Sequence, residues 1–182
     1  YGPPGVGFLY GRREMREALP PASFGGSMVE LAWMDQPAQY MLPPARFEAG
    51  TQPVAQVVAA GVAAEWMMSI GMDQLEAHER KLTGELLKMG DIEGIRILGP
   101  RENADRIGTV AFDINGVHPH DVGQFIDAQG IAIRVGHHCA QPVHRHFGLY
   151  ASNRASCGVY NNVEDIHALL DALGKVRAFF GA

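Results

Sequence analysis

From residue 95 to the end of the chain the apolar residues change period in a fixed order, and that order restricts the fold more than any other feature. Ile95-Arg96-Ile97-Leu98 and Thr109-Val110-Ala111-Phe112-Asp113-Ile114 alternate with a period of two, as half-buried strands do. In residues 120–129, Val122, Phe125 and Ile126 recur at helical spacing, and Gly130 is the stop. Residues 131–135 read as a third strand and residues 154–160 as a fourth. The final segment reads as a helix. Asn162 is its cap, Glu164 and Asp165 occupy its positive first turn, and Ile166, Leu169, Leu170, Leu173, Val176 and Phe180 form one stripe. Strands and helices interleaved in this way predict an α+β unit.

Upstream the pattern differs. Residues 1–50 are rich in Gly and Pro, and within them residues 6–11 read as a short buried strand bounded by glycines. Such a stretch cannot order itself alone, so it predicts the end of a domain whose beginning is missing, or a surface where a partner docks. From Val54 the spacing turns helical, with Val57, Val58, Val62, Trp66 and Ile70 predicting one strongly apolar face. Thr51-Gln52-Pro53 reads as an N-cap with proline inside the first turn, and Gly71 as the stop or kink. A second helix, over residues 73–89, carries Leu75, His78, Leu82, Leu86 and Leu87 on one side, and Gly90 closes it.

Composition narrows the class of protein. Hydrophobic residues make up 47% of the 182 and the net charge is only −5, which argues against disorder. The 15 Lys and Arg form no basic run longer than Arg12-Arg13, so no nucleic-acid footprint is expected. No run of about 18 apolar residues is free of charge, Pro or Gly, so no membrane span is expected either. The opening residues carry no secretory signal, and two free thiols, Cys139 and Cys157, suit a reducing cytoplasm.

Chemistry concentrates between residues 118 and 146, which hold six of the eight histidines. There Gly136-His137-His138-Cys139-Ala140-Gln141-Pro142 follows a predicted strand directly. A cysteine on such a loop is held by a rigid element yet free to reach outward, and neighbouring imidazoles with Arg134 favour its thiolate. The bland reading is a buried small hydrophobe; that is how Cys157 reads, inside its apolar strand. A metal reading takes His118, His120, His137, His138 and Cys139 as ligands, but their spacing matches no common zinc pattern. His144 and His146, alternating in a short polar segment, read as surface residues. Arg154 is either the fork for a substrate carboxylate or a rim arginine paired with a surface acid. Glu48-Ala49-Gly50-Thr51 at a helix start is a candidate anion site, although most helix N-termini bind only their own cap.

The segments Tyr1-Gly2-Pro3-Pro4-Gly5-Val6-Gly7, Arg46-Phe47-Glu48-Ala49-Gly50-Thr51, Arg134-Val135-Gly136-His137-His138-Cys139-Ala140 and Arg154-Ala155-Ser156 occur in this order. Together they resemble the cysteine desulfurases of the sulfur-mobilisation type, in the class V, fold-type I aminotransferase group. The resemblance implies the end of a pyridoxal-phosphate-dependent transferase large domain over residues 1–72, then a linking helix and small α+β domain over 73–182. It implies conversion of L-cysteine to L-alanine for iron–sulfur cluster assembly, with Cys139 as the persulfide-forming nucleophile. Arg154, Arg134 and His138 would bind substrate, and Gly50 and Thr51 would reach the cofactor phosphate of the other subunit of a homodimer. By the same resemblance, His120 would be a transient zinc ligand when a sulfur-acceptor protein docks. The family's cofactor lysine lies just before the Tyr-Gly-Pro motif, and none of Lys81, Lys88 and Lys175 matches it, so these residues are expected to be inactive without an N-terminal part. Selenocysteine lyases share the scaffold, and a non-catalytic module that binds metal or a partner is the alternative outside the enzyme class.

Overall fold

The computed structural model describes residues 1–103 and 106–182, which fall into two compact units, residues 1–70 and residues 71–182.

The second unit holds the core. Its strands β3 (Ile95–Leu98), β4 (Thr109–Ile114), β5 (Arg134–Gly136) and β6 (Ser152–Ser156) form one antiparallel sheet in the order β3-β4-β6-β5. Register follows the alternation in the sequence. Ile95 pairs with Ile114 and Ile97 with Phe112, and Val110 pairs with Ala155, so these side chains share one face. Against that face pack α3 (Met72–Leu87), α4 (Pro119–Asp127) and α6 (Val163–Phe180). Each helix contributes residues at its own period: Leu82 and Leu86 from α3, Val122 and Ile126 from α4, and Ile166, Leu169, Leu173 and Val176 from α6. The opposite face carries Arg96, Asp113, Ser152, Arg154 and Arg134 by the same registers. One side of the sheet is core, and the other is free for chemistry.

Helix α6 starts as its sequence predicts. Asn162 accepts from the Asp165 N–H at 2.9 Å while the Asp165 carboxylate accepts from the Asn162 N–H at 3.1 Å, a reciprocal capping box. Two strands are displaced from their predicted bounds. Ile131 and Ile133 pack against the core, but ladder pairing starts only at Arg134. At the other end β6 stops at Ser156 because Asn161 folds the chain back: its side chain accepts from Gly158 N–H at 3.0 Å, and its N–H donates to the Gly158 carbonyl at 3.0 Å. Cys157 is half-buried against the core, as expected of a small hydrophobe, and burial raises its thiol pKa.

The first unit is built differently. It comprises α1 (Arg13–Ala18), a hairpin of β1 (Val29–Leu31) and β2 (Gln39–Tyr40), a 3₁₀ turn at Ala45–Phe47 and α2 (Val54–Ile70). Residues 6–11 form no strand, and Phe8, Leu9 and Tyr10 are 77%, 98% and 89% exposed, because no neighbouring strand pairs with them. Helix α2 begins at Val54, so Pro53 precedes it and Thr51 stands outside the cap position. Nor does α2 bury one face. None of its residues is buried, and Val54, Val58, Val62, Trp66 and Met68 all stand more than half exposed. Its apolar residues run around the helix rather than along a stripe. Among the described residues, no single helix is long and apolar enough to cross a membrane.

Candidate active site

Strand β5 ends at Gly136, and the chain turns sharply before a short helix, α5 (Gln141–His146). His138 and Cys139 both adopt left-handed backbone conformations, φ +51° and +58°. Each costs a non-glycine residue about 1–2 kcal/mol, so such a turn persists only where contacts over-determine it. Ala140 N–H donates to the His137 carbonyl at 2.8 Å, closing the turn around Cys139. His144 Nδ1 lies 3.0 Å from the Ala140 carbonyl oxygen, and its Nε2 lies 2.9 Å from Ser152 Oγ. The same hydroxyl lies 3.1 Å from His138 Nε2. The turn is tied to β6, and Cys139 is left exposed.

Two residues along β6 from Ser152, Arg154 lies directly across the ladder from Arg134. Like charges at facing positions repel, so the sheet alone gains nothing from this pair. Arg154 is half-buried, and its Nε is buried without a hydrogen-bond partner among the described residues. A carboxylate would satisfy both charges and that orphan donor in a bidentate fork. Gly136 and Ser152 are the next pair on this face, so the cysteine turn leaves the sheet beside the two guanidiniums.

Burial first, then the guanidinium of Arg154, with lesser effects of His144 when it is protonated and of Arg134, holds the His138 pKa below its ordinary value of 6.5. His138 is therefore neutral at neutral pH. It contributes a lone pair rather than the positive charge that the sequence suggests for steadying a thiolate. Its Nδ1 is buried and unpartnered among the described residues.

The expectation that His144 lies on the surface is wrong. It is 5% exposed, because residues 141–146 form a helix rather than a polar segment and turn its ring toward β6. Together with fully buried Ser152 it is what reasoning from sequence missed. Pro142 in the first turn of α5 was the available signal, since proline favours that place. His146 is exposed, as expected. His137 packs edge-on against Tyr150 at 4.8 Å between ring centroids. His118 caps α4, its Nδ1 accepting from His120 N–H, and the two rings stack at 5.7 Å. His120 is exposed there. Among the described residues no three His, Cys, Asp or Glu side chains converge to hold a metal ion.

In the first unit a cavity of about 250 Å³ is lined by Ser27, Ala45, Glu48, Gly50, Thr51 and Gln52. Gly50 has φ +80°, a conformation that favours glycine, and its N–H donates to the Gly26 carbonyl at 2.8 Å. Its part is thus to shape the turn. Thr51, exposed, supplies a hydroxyl and an N–H with no partner among the described residues.

Fold and site together define an α+β scaffold that presents a thiol beside paired arginines. The chain belongs to the class-V aminotransferase family, whose model matches residues 1–169. It is 47% identical over 181 residues to a probable cysteine desulfurase of Streptomyces coelicolor, covering 99% of this chain and 43% of that protein. It is 45% identical to probable cysteine desulfurase 2 of Mycobacterium leprae, with the same coverage. Among solved structures, the apo cysteine desulfurase of Thermococcus onnurineus NA1 superposes with a TM-score of 0.90 at 34% identity, over 96% of this chain and 44% of that one. The cysteine desulfurase CsdA of Escherichia coli, in an S-sulfonic acid form, gives 0.88 at 34% identity, over 98% and 44%. The chain thus spans less than half the length of the relatives it matches.

Proposed function

We propose that these residues form the thiol-bearing part of a pyridoxal-phosphate-dependent cysteine desulfurase. The observation that carries this is Cys139, exposed on a braced left-handed turn beside facing arginines, one of which has a buried donor without a partner. In this reading Arg154 and Arg134 bind the carboxylate of L-cysteine, and His138 lines the same pocket. Cys139 attacks the sulfur of the substrate. The carbon–sulfur bond of the substrate breaks and a sulfur–sulfur bond forms, so that L-cysteine and the Cys139 thiol become L-alanine and a Cys139 persulfide with all atoms balanced.

The residues present fit the phosphate end of the cofactor. Ser27, Thr51 and Gln52 offer a hydroxyl, a hydroxyl with a free N–H, and an amide around a small cavity, while Gly50 sets the turn. Glu48 on the same wall opposes an anion, so the N–H and hydroxyl donors must outweigh it. When bound, pyridoxal phosphate supplies the electron sink that labilises the substrate's Cα proton and its β-sulfur. Thr51 would reach the cofactor of the other subunit of a homodimer. Residues 1–72 then belong to the large cofactor domain and 73–182 to the small one, acting within a longer polypeptide in the cytoplasm. Exposed His120, at the start of α4, is the residue offered to a docking sulfur acceptor of the iron–sulfur assembly system.

The test uses the full-length protein loaded with pyridoxal phosphate and given L-cysteine. Alanine and a mass increase of one sulfur on Cys139 are expected. Alanine formation that survives Cys139→Ala at the wild-type rate would sink the proposal.

A further inference from the structure

We propose that His144 is a positioning residue for the nucleophilic turn: through Ser152 it fixes His138 as the tautomer protonated on Nε2, and so braces the residues on both sides of Cys139. The role of Cys139 as nucleophile rests on the desulfurase reading; the tautomer assignment does not.

A carbonyl oxygen only accepts, so at 3.0 Å from Ala140 O the His144 Nδ1 must carry a proton. A single ring proton on Nδ1 leaves Nε2 with a lone pair, and at 2.9 Å that lone pair takes the Ser152 hydroxyl proton. A hydroxyl has one proton to give. Having donated it to His144, Ser152 Oγ can only accept from His138 Nε2 at 3.1 Å, so His138 carries its proton on Nε2. Nδ1 is then unprotonated, as suits a buried ring nitrogen with no acceptor near it among the described residues. The reverse order would leave a buried N–H unsatisfied at that atom, the costlier outcome.

Geometry gives the chain its purpose. His144 grips the residue after Cys139 directly, and through Ser152 it grips the residue before it. Both ends of the strained turn are therefore tied to one buried ring, which is 5% exposed, and to one fully buried hydroxyl.

Two measurements on the full-length, cofactor-loaded protein test this. The first is a long-range proton–nitrogen correlation spectrum with ¹⁵N-histidine, which reads each tautomer without turnover. His138 protonated on Nε2 and His144 on Nδ1 are expected in the wild type, and His138 protonated on Nδ1 overturns the proposal whether or not any variant folds. The second is steady-state kinetics with L-cysteine. His144→Ala should lower kcat by about tenfold with KM nearly unchanged, the mark of a misplaced group in the chemical step. His144→Gln, which keeps one donor and one acceptor, should recover part of that loss. Adding Ser152→Ala to His144→Ala should cost little more, because both break one chain. A His144→Ala enzyme with wild-type kcat overturns the positioning role. A protein with the expected tautomers but no alanine production keeps the hydrogen-bond chain and loses the desulfurase reading, so the two failures are distinct.

Discussion

At the scale of single residues, the site holds groups in states that the fold by itself disfavours. Two adjacent left-handed residues, two facing guanidiniums and a half-buried imidazole kept neutral each cost stability where a ligand or a reaction repays it. His138 makes this measurable through pH. Its pKa is lowered in the folded state, so below the ordinary value of 6.5 the unfolded chain binds more protons than the folded one. Stability therefore rises with pH as the unfolded imidazole loses its proton, and falls as pH drops from 6.5 toward the lower folded value. Urea unfolding of the wild type and of His138→Asn across this range should show a shallower pH dependence in the variant. Equal slopes would mean that the ring is not held neutral. Asp165 gives a case of the same sign at lower pH. The Asn161 side-chain N–H and then the Asn162 N–H lower its pKa, so its contribution is present above the ordinary 3.8 and is lost as pH falls through the lowered value.

At the scale of elements, close approach and capping decide what each helix tolerates. Gly123 lies inside α4, where alanine would gain roughly 1 kcal/mol in helix propensity. A Cβ there would stand 2.5 Å from Val135 Cγ2, and the branched valine on β5 has little room to turn away. Overpacking of this kind costs about 1–3 kcal/mol, so Gly123→Ala should lower stability despite the better propensity. An unchanged or raised melting temperature would show that β5 yields instead. Asn162→Ala removes the capping box of α6 and should cost about 1 kcal/mol by denaturant titration. The elements legible in the sequence were those whose own side chains carry the periodicity. Strands β3 and β4 match their predicted bounds residue for residue, and α6 matches its cap and its stripe as far as Val176, while Phe180 stands 40% exposed. What stayed hidden depends on partners distant in sequence. Residues 6–11 have the composition of a strand but no neighbour to pair with. His144 is polar by type, and only its bonds to Ala140 and Ser152 make it a buried residue. The Cys139 loop and the Arg134–Arg154 pair were visible as motifs, but the facing register that makes them one site was not.

At the scale of the whole chain, burial is distributed unequally between the two units, and this has a physical consequence. The apolar core, from Leu82 to Val176, lies wholly within residues 71–182, with Phe112, Val110, Val122 and Ile126 fully buried at its centre. In residues 1–70 only Met28 is buried, and α2 leaves Val54, Val58, Val62 and Trp66 more than half exposed. A helix that is apolar all round is stable in water only when something covers it. Residues 71–182, by contrast, have a closed sheet face, a capped last helix and a core of their own, which is enough for a domain of roughly a hundred residues to fold by itself. Expressed alone, this unit should give a dispersed amide spectrum and a single cooperative urea transition. His144 should stay protected, because every partner of its ring lies within the unit. Residues 1–70 alone should show no such transition, since one buried methionine cannot offset the conformational entropy of ordering them. A broad, uncooperative transition in residues 71–182 would mean that the sheet and its cysteine turn need the first unit in order to form at all.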